Sequence, residues 1–165
     1  MIKSILRKIK KKIITILFGE LNEKLINLHS KEINDLKILI AKQLIHNQKN
    51  IDSLNDAEFK VFSQWGDDGM IQYLINNIKI NEKSFIEFGV ENFKESNTRF
   101  LLINNNWTGL VMDGSQNNIN FIKKDEIYWK YSLNAKRVFI TAENVNEVIM
   151  SEGIEGQIGL LHIDI

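Results

Sequence analysis

SFIEFGVENFKESNTRFLLINNNWTGLVMDGS, residues 84–115, is the stretch whose reading decides the fold. Its opening, SFIEFG (84–89), is a short apolar run closed by glycine and reads as a buried strand. Glu95 to Asn105 carries apolar residues at helical spacing. TGLVMDG (108–114) is a second apolar run, ended by an Asp-Gly turn. Strand, helix and strand in that order make a βαβ unit, in which the two strands run parallel and the crossover is right-handed.

The alternation continues outward. Upstream, Gly69 to Ile80 has a helical pattern. Downstream, Gln116 to Lys124 predicts a short helix, RVFIT (137–141) a third strand, Val145 to Met150 another helix, and GLLHIDI (159–165) a fourth strand. From about Asp56 to Ile165 the expected architecture is therefore α/β, a mostly parallel Rossmann-like sheet of four strands. No internal repeat or low-complexity linker interrupts it.

Residues from Met1 to about Asn50 have a different character and read as helix. Ile2, Ile5, Leu6, Ile9, Ile13, Ile16 and Leu17 recur at helical spacing, and Gly19 offers a break. A second stretch follows through Leu21, Leu25, Leu28, Ile33, Leu36, Ile40 and Leu44, without one sustained heptad register. Six of the chain's 21 lysines and arginines lie in the first twelve residues with no acid among them, which leaves 15 facing 21 aspartates and glutamates. A basic amphipathic helix of this kind either lies on an anionic membrane surface, here through residues 1–18, or packs on its own domain or a partner. Both readings stand at this level.

Composition narrows the classes further. The 165 residues suffice for one ordinary domain, and 44% hydrophobic with 25% charged residues is a globular balance. An acidic body is a poor electrostatic partner for nucleic acid. No cysteine is present, so disulfides and thiolate chemistry are excluded, in keeping with a cytoplasmic protein. The longest apolar run, Ile13 to Phe18, is far shorter than the roughly 18–20 residues of a membrane span. It is followed by Glu20 without a small-residue cleavage site, which argues against a secretory leader.

The residues at the strand ends carry the chemistry. A dinucleotide site wants several glycines after the first strand, so that the backbone can approach a pyrophosphate. Here Glu87-Phe88-Gly89 is followed by Val90-Glu91-Asn92-Phe93, with one glycine and an added carboxylate that would repel phosphate. S-adenosylmethionine (SAM) carries no phosphate, and its sulfonium and ammonium groups suit acidic surroundings. Strand two ends in Met112-Asp113-Gly114-Ser115. Asp113 lies 26 residues after Glu87, close to the roughly 20-residue offset of a ribose-binding acid. The same residues also make an Asp-Gly turn with a serine helix cap. After the third strand, Thr141 can pair with Asn144 in a capping-box-like turn, or Glu143 and Asn144 can face an adenine edge. In Phe62-Ser63-Gln64-Trp65-Gly66-Asp67-Asp68-Gly69 the two aspartates suit a helix start, whereas Gln64 has no evident capping use.

Taken together, SQWGDDGMIQYL, FIEFGVENFKESNTRFLL, NNNWTGLVMDGS, FITAEN and LLHIDI resemble the bacterial FkbM-like SAM-dependent methyltransferase family, over about Phe62 to Ile165. The resemblance implies SAM as cofactor, with the turn bearing Gln64 and Asp68 near it. It implies Glu87, Gly89, Asp113, Gly114, Ser115, Glu143 and Asn144 around SAM, and Asp164 beside the transferred methyl as the candidate catalytic base. It also implies O-methylation of a sugar or surface glycan, and a sheet with more strands than the four here. The expectation is accordingly a cofactor half truncated after strand four, a fragment or the product of a split gene, which forms an oligomer or lacks its C-terminal half. The chain departs from the family pattern at the glycine-poor loop 89–93 and at His162, where a small residue is usual. The alternative is a non-catalytic remnant, or a helical adaptor for a membrane or partner. His29, His46 and His162 are too scattered to suggest a metal site.

Overall fold

The computed structural model describes residues 2–48 and 51–164, with side chains from residue 12 onward. The boundary expected near Asn50, the packing of apolar side chains before Lys12, and Ile165 lie outside it. The described chain forms two units, 1–40 and 41–165.

The first unit is helix alone, part of α1 (Ile2–Asn47). The helix passes through Gly19 without a break. One glycine costs a helix interior only about 1 kcal/mol relative to alanine, too little to end a helix with good formers on both sides. Ile13, Leu17, Leu21, Leu25, Leu28 and Leu36 stay exposed along it. No described helix is long and apolar enough to cross a membrane.

The second unit is the α/β body. Its sheet contains β1 (Ser84–Phe88), β2 (Thr108–Asp113), β3 (Leu133–Arg137) and β4 (Leu160–Ile163), all parallel, in the order β3-β2-β1-β4. The helices are α2 (Asp67–Asn77), α3 (Arg99–Asn105), α4 (Gln116–Lys124), α5 (Glu126–Lys130) and α6 (Val145–Ser151). Buried on both faces, the central strands read as near-continuous apolar runs. Phe85 and Val111 pack with Leu101, Leu102, Trp107 and Ile122 on one side. Ile86, Phe88, Leu110 and Met112 pack with Val145, Val148 and Ile149 on the other.

Besides the unbroken α1, helix α5 was not expected, α2 begins two residues earlier than Gly69, and β3 and α3 depart from the sequence expectation for physical reasons. The third strand is Leu133–Arg137, not RVFIT at 137–141. Pairing with β2 places Leu133 and Ala135 in the core despite their modest strand propensity, so tertiary context overrides it. Val138 keeps one bond to β2, its N–H donating to the Asp113 carbonyl at 3.1 Å, and it packs with Ile140 under the second face. Helix α3 starts at Arg99 rather than Glu95, because Ser96, Asn97 and Thr98 are drawn to Glu87 instead.

The start of α2 is pinned by close approach. The N–H of Gly69 donates to the carbonyl of Phe59 at 3.2 Å. A Cβ on Gly69 would sit 2.0 Å from the carbonyl oxygen of Ala57 and 2.5 Å from the nitrogen of Phe59. Both are backbone atoms that cannot swing aside. Gly69→Ala is therefore expected to cost about 2–3 kcal/mol, against a helix-propensity gain of about 1 kcal/mol. Urea unfolding checks this, and an unchanged midpoint would refute the close packing.

Candidate functional site

Sheet order reverses at β1, since β2 and β3 extend to one side and β4 returns on the other. In open parallel sheets this switch point, outside the carboxyl ends of the strands, is where ligands bind. Two cavities open there and share Gly89, Glu91 and Asp164. The first, of about 560 Å³, is lined by Gln64, Trp65, Asp67, Glu95, Ser96, Asn97, His162 and Ile163 besides the shared residues. The second, of about 370 Å³, adds Phe88, Met112, Asp113, Gly114, Val138, Phe139 and Ile140. One is acidic and the other mainly apolar, and neither is lined by lysine or arginine.

The loop after β1 shapes both. Val90 and Phe93 are buried and hold its ends in the core. Between and beside them the backbone is left-handed at Gly89 (φ 76°), Glu91 (φ 48°) and Phe93 (φ 61°). Glycine adopts this conformation freely, whereas Glu91 and Phe93 do so at a cost, and such strain gathers at functional sites. The bend turns the loop backbone over the crevice, with the Gly89 N–H donating to the carbonyl of Met112 at 2.9 Å.

Asp113 ties this loop to β2. Its Oδ2 accepts from the Glu91 N–H at 2.9 Å, and its Oδ1 accepts from the Ser115 N–H at 2.7 Å and from Asn118 Nδ2 at 3.0 Å. A carboxylate offers about four acceptor sites, so one is left over, and Asp113 is among the residues lining the apolar cavity. Ser115 caps α4, its Oγ accepting from the Asn118 N–H, and Gly114 lies against the Phe139 ring. Phe139 is 81% exposed at the rim.

Glu87 is 1% exposed and does not line either cavity. Its Oε2 accepts from both the Ser96 and Thr98 hydroxyls and from the Thr98 N–H, and its Oε1 from the Asn97 N–H at 3.3 Å. Parallel register sets His162 of β4 beside it, with Nδ1 3.4 Å from Oε1. Burial alone would raise Glu87, but the adjacent His162 ring and the hydrogen bonds from Ser96 and Thr98 outweigh it and hold the carboxyl below the ordinary glutamate value. The neighbouring carboxylate raises His162 against the desolvation that would lower it.

The remaining expected site residues separate. Gln64 lines the acidic cavity, and its carbonyl accepts from Lys60 Nζ at 2.8 Å. Asp68 is 1% exposed, and its Oδ2 accepts from the N–H groups of Val61, Phe62 and Ser63. Burial pushes its carboxyl up, only partly offset by those donors. Asp67, one residue earlier, lines the cavity instead. Glu143 and Asn144 line neither cavity. Asn144 closes a turn, its Oδ1 accepting from the Thr141 N–H and its Nδ2 donating to the Phe139 carbonyl. Glu143 is exposed and held below its ordinary value by the Thr141 hydroxyl. Asp164, exposed at the end of β4, borders both cavities.

Sequence reasoning did not select Trp65, Asp67, Asn97 or Phe139. Trp65 directly follows the expected Gln64 in the chain, which was the available signal, whereas Phe139 stood inside the stretch read as the third strand. Asn97 gave none, because its partner His162 is 65 residues away. Comparisons with family models, curated proteins and solved structures return no match.

Proposed function

We propose that the α/β unit is the cofactor-binding part of a SAM-dependent methyltransferase, in line with the FkbM-like resemblance. The observation carrying this reading is the paired crevice at the switch point, apolar with Asp113 on one side and acidic on the other. Asp113 has an acceptor site left over for a ribose hydroxyl, while Met112, Val138, Phe139 and Ile140 suit an adenine ring. Asp67, Glu91 and Asp164 suit a sulfonium and an ammonium group. The lack of lysine or arginine around either cavity disfavours a pyrophosphate. When bound, SAM supplies an electrophilic methyl group.

This chain's residues then place and deprotonate. Transfer from a sulfonium is an in-line displacement, so orientation of the acceptor contributes most of the acceleration. Asp164 borders both cavities, where a carboxylate can take the proton of an acceptor hydroxyl. A sugar or glycan acceptor rests on the resemblance alone. In this reading the exposed apolar side chains of α1 serve as a contact for a membrane surface or partner.

Asp113→Ala should weaken SAM binding roughly 10- to 100-fold, the loss expected for a hydrogen bond to a charged group. Glu143→Ala, outside both cavities, should leave binding unchanged. Calorimetric titration with SAM and with S-adenosylhomocysteine reads both. Failure of the wild-type chain to bind either nucleoside would sink the reading.

A further inference from the structure

Charge and apolar character are segregated along α1. Lys3, Arg7, Lys8, Lys10, Lys11 and Lys12 supply six cations in the first twelve residues, with no acid before Glu20. The helix backbone runs unbroken from Ile2 through this segment. At about 100° per residue, Ile2, Ile5, Leu6, Ile9, Ile13, Ile16 and Leu17 fall by sequence spacing within one arc of about 120°, and all six cations fall outside it. Where side chains are described, Ile13, Ile16, Leu17 and Phe18 are exposed, Leu17 at 58% and Phe18 at 64%.

Beyond Gly19 both patterns change. Residues 20–40 carry four acids against three lysines, and the apolar positions Leu21, Leu25, Leu28 and Leu36 centre about a third of a turn further round the helix. One flat surface therefore cannot cover both stretches, and only the first is cationic. Its occupant must offer negative charge and take up an apolar face together. A nucleic acid supplies the charge but no apolar bed. A second copy of the segment laid alongside in parallel brings cation onto cation. An anionic bilayer surface supplies both needs, with acyl chains beneath a layer of headgroup charge. A helix that is cationic over roughly two thirds of its girth lies in that interface rather than through the bilayer.

We propose that residues 2–18 are a docking surface for an anionic lipid bilayer, lying in its plane with the apolar arc among the acyl chains and the lysines against the headgroup phosphates. The surface shares no residue with the crevice at the strand ends, so it stands or falls apart from the methyltransferase reading. Each cation held near such a bilayer strengthens binding roughly fivefold. Salt screens that part and leaves the apolar part in place.

The full chain is sedimented with vesicles of phosphatidylcholine mixed with phosphatidylglycerol, and with vesicles of phosphatidylcholine alone. Binding should be strong on the first and roughly tenfold or more weaker on the second. It should fall several-fold as salt rises from about 0.1 M to about 1 M, where the screening length shrinks from about 10 Å to about 3 Å. The triple variant Lys8→Gln, Lys10→Gln, Lys11→Gln should lose roughly 100-fold in affinity for the anionic vesicles and behave toward SAM as the wild type does. Ile13→Trp should add a blue-shifted emission to that of the wild-type tryptophans, quenched by lipids brominated along the acyl chain. Equal binding to both vesicles, no binding to either, or binding indifferent to salt and to the triple variant overturns the lipid surface. So does a concentration-dependent dimer that anionic vesicles do not dissociate, which assigns the face to a second copy. Wild-type binding across salt and lipid composition decides even where a variant fails to fold.

Discussion

Asp68→Ala is expected to destabilise the α/β unit by roughly 3–5 kcal/mol, the range for breaking a buried charged hydrogen-bond network. A single oxygen of this carboxylate accepts from three consecutive backbone N–H groups, at 2.7, 2.7 and 2.8 Å, and from the Ser63 hydroxyl at 2.9 Å. Val61, Phe62 and Ser63 are buried, so alanine would leave these donors without an acceptor and without water. The bend they form carries Gln64 and Trp65 to the acidic cavity. Losing it should therefore weaken ligand binding as well, although Asp68 lines neither cavity. Asp67→Ala is the informative control. That residue is partly exposed, and its removal should cost about 0.3–1 kcal/mol through the helix dipole. Chemical denaturation of the two variants should separate them by several-fold in energy, and equal effects would contradict the buried network.

Asp67 and Asp68 also show how much was legible in the chain. Two adjacent acids at a helix start look alike in sequence, and the macrodipole accounts for either. Only the phase of α2 against the 61–63 bend decides that one is an anchor and its neighbour a cavity wall. Alternation of apolar runs with helical patterns was enough for the α/β class, because each central strand is buried on both faces and so appears as a continuous apolar stretch. It failed at β3, where LNAKR carries little strand character and pairing with β2 decides the matter. Loop 89–93 was visible as a departure from a glycine-rich pattern. Its left-handed backbone at Glu91 and Phe93 was not, since burial of Val90 and Phe93 imposes it from outside the local sequence. Glu87 was expected around the cofactor, and it lies buried instead, lining neither cavity. Its partners come from positions 96–98 and 162, and separations of that kind leave no local trace.

That network carries the second large effect. Glu87→Gln keeps the side chain's size but removes the charge that takes hydrogen bonds from Ser96, Asn97 and Thr98 and faces His162. Removing one partner of a buried pair strands the other, and the expected loss is about 3 kcal/mol or more. The pH dependence gives the loss a signature. Glu87 is held below its ordinary value in the fold, so its contribution is full above the unfolded glutamate value of about 4.3 and is lost as pH falls through the folded value. His162 is held above its ordinary value, so its contribution is full below about 6.5 and is lost as pH rises through the folded value. The two overlap between about pH 4.3 and 6.5. There the stability difference between the wild type and Glu87→Gln should be greatest, falling away on both sides. His162→Gln should remove the alkaline limb and keep the acid one, because Ser96, Asn97 and Thr98 still donate to Glu87. Denaturation curves collected across pH for the three proteins test this directly. A difference that is flat with pH would mean that Glu87 acts through shape and hydrogen bonding alone, and that its pairing with His162 contributes nothing to the fold.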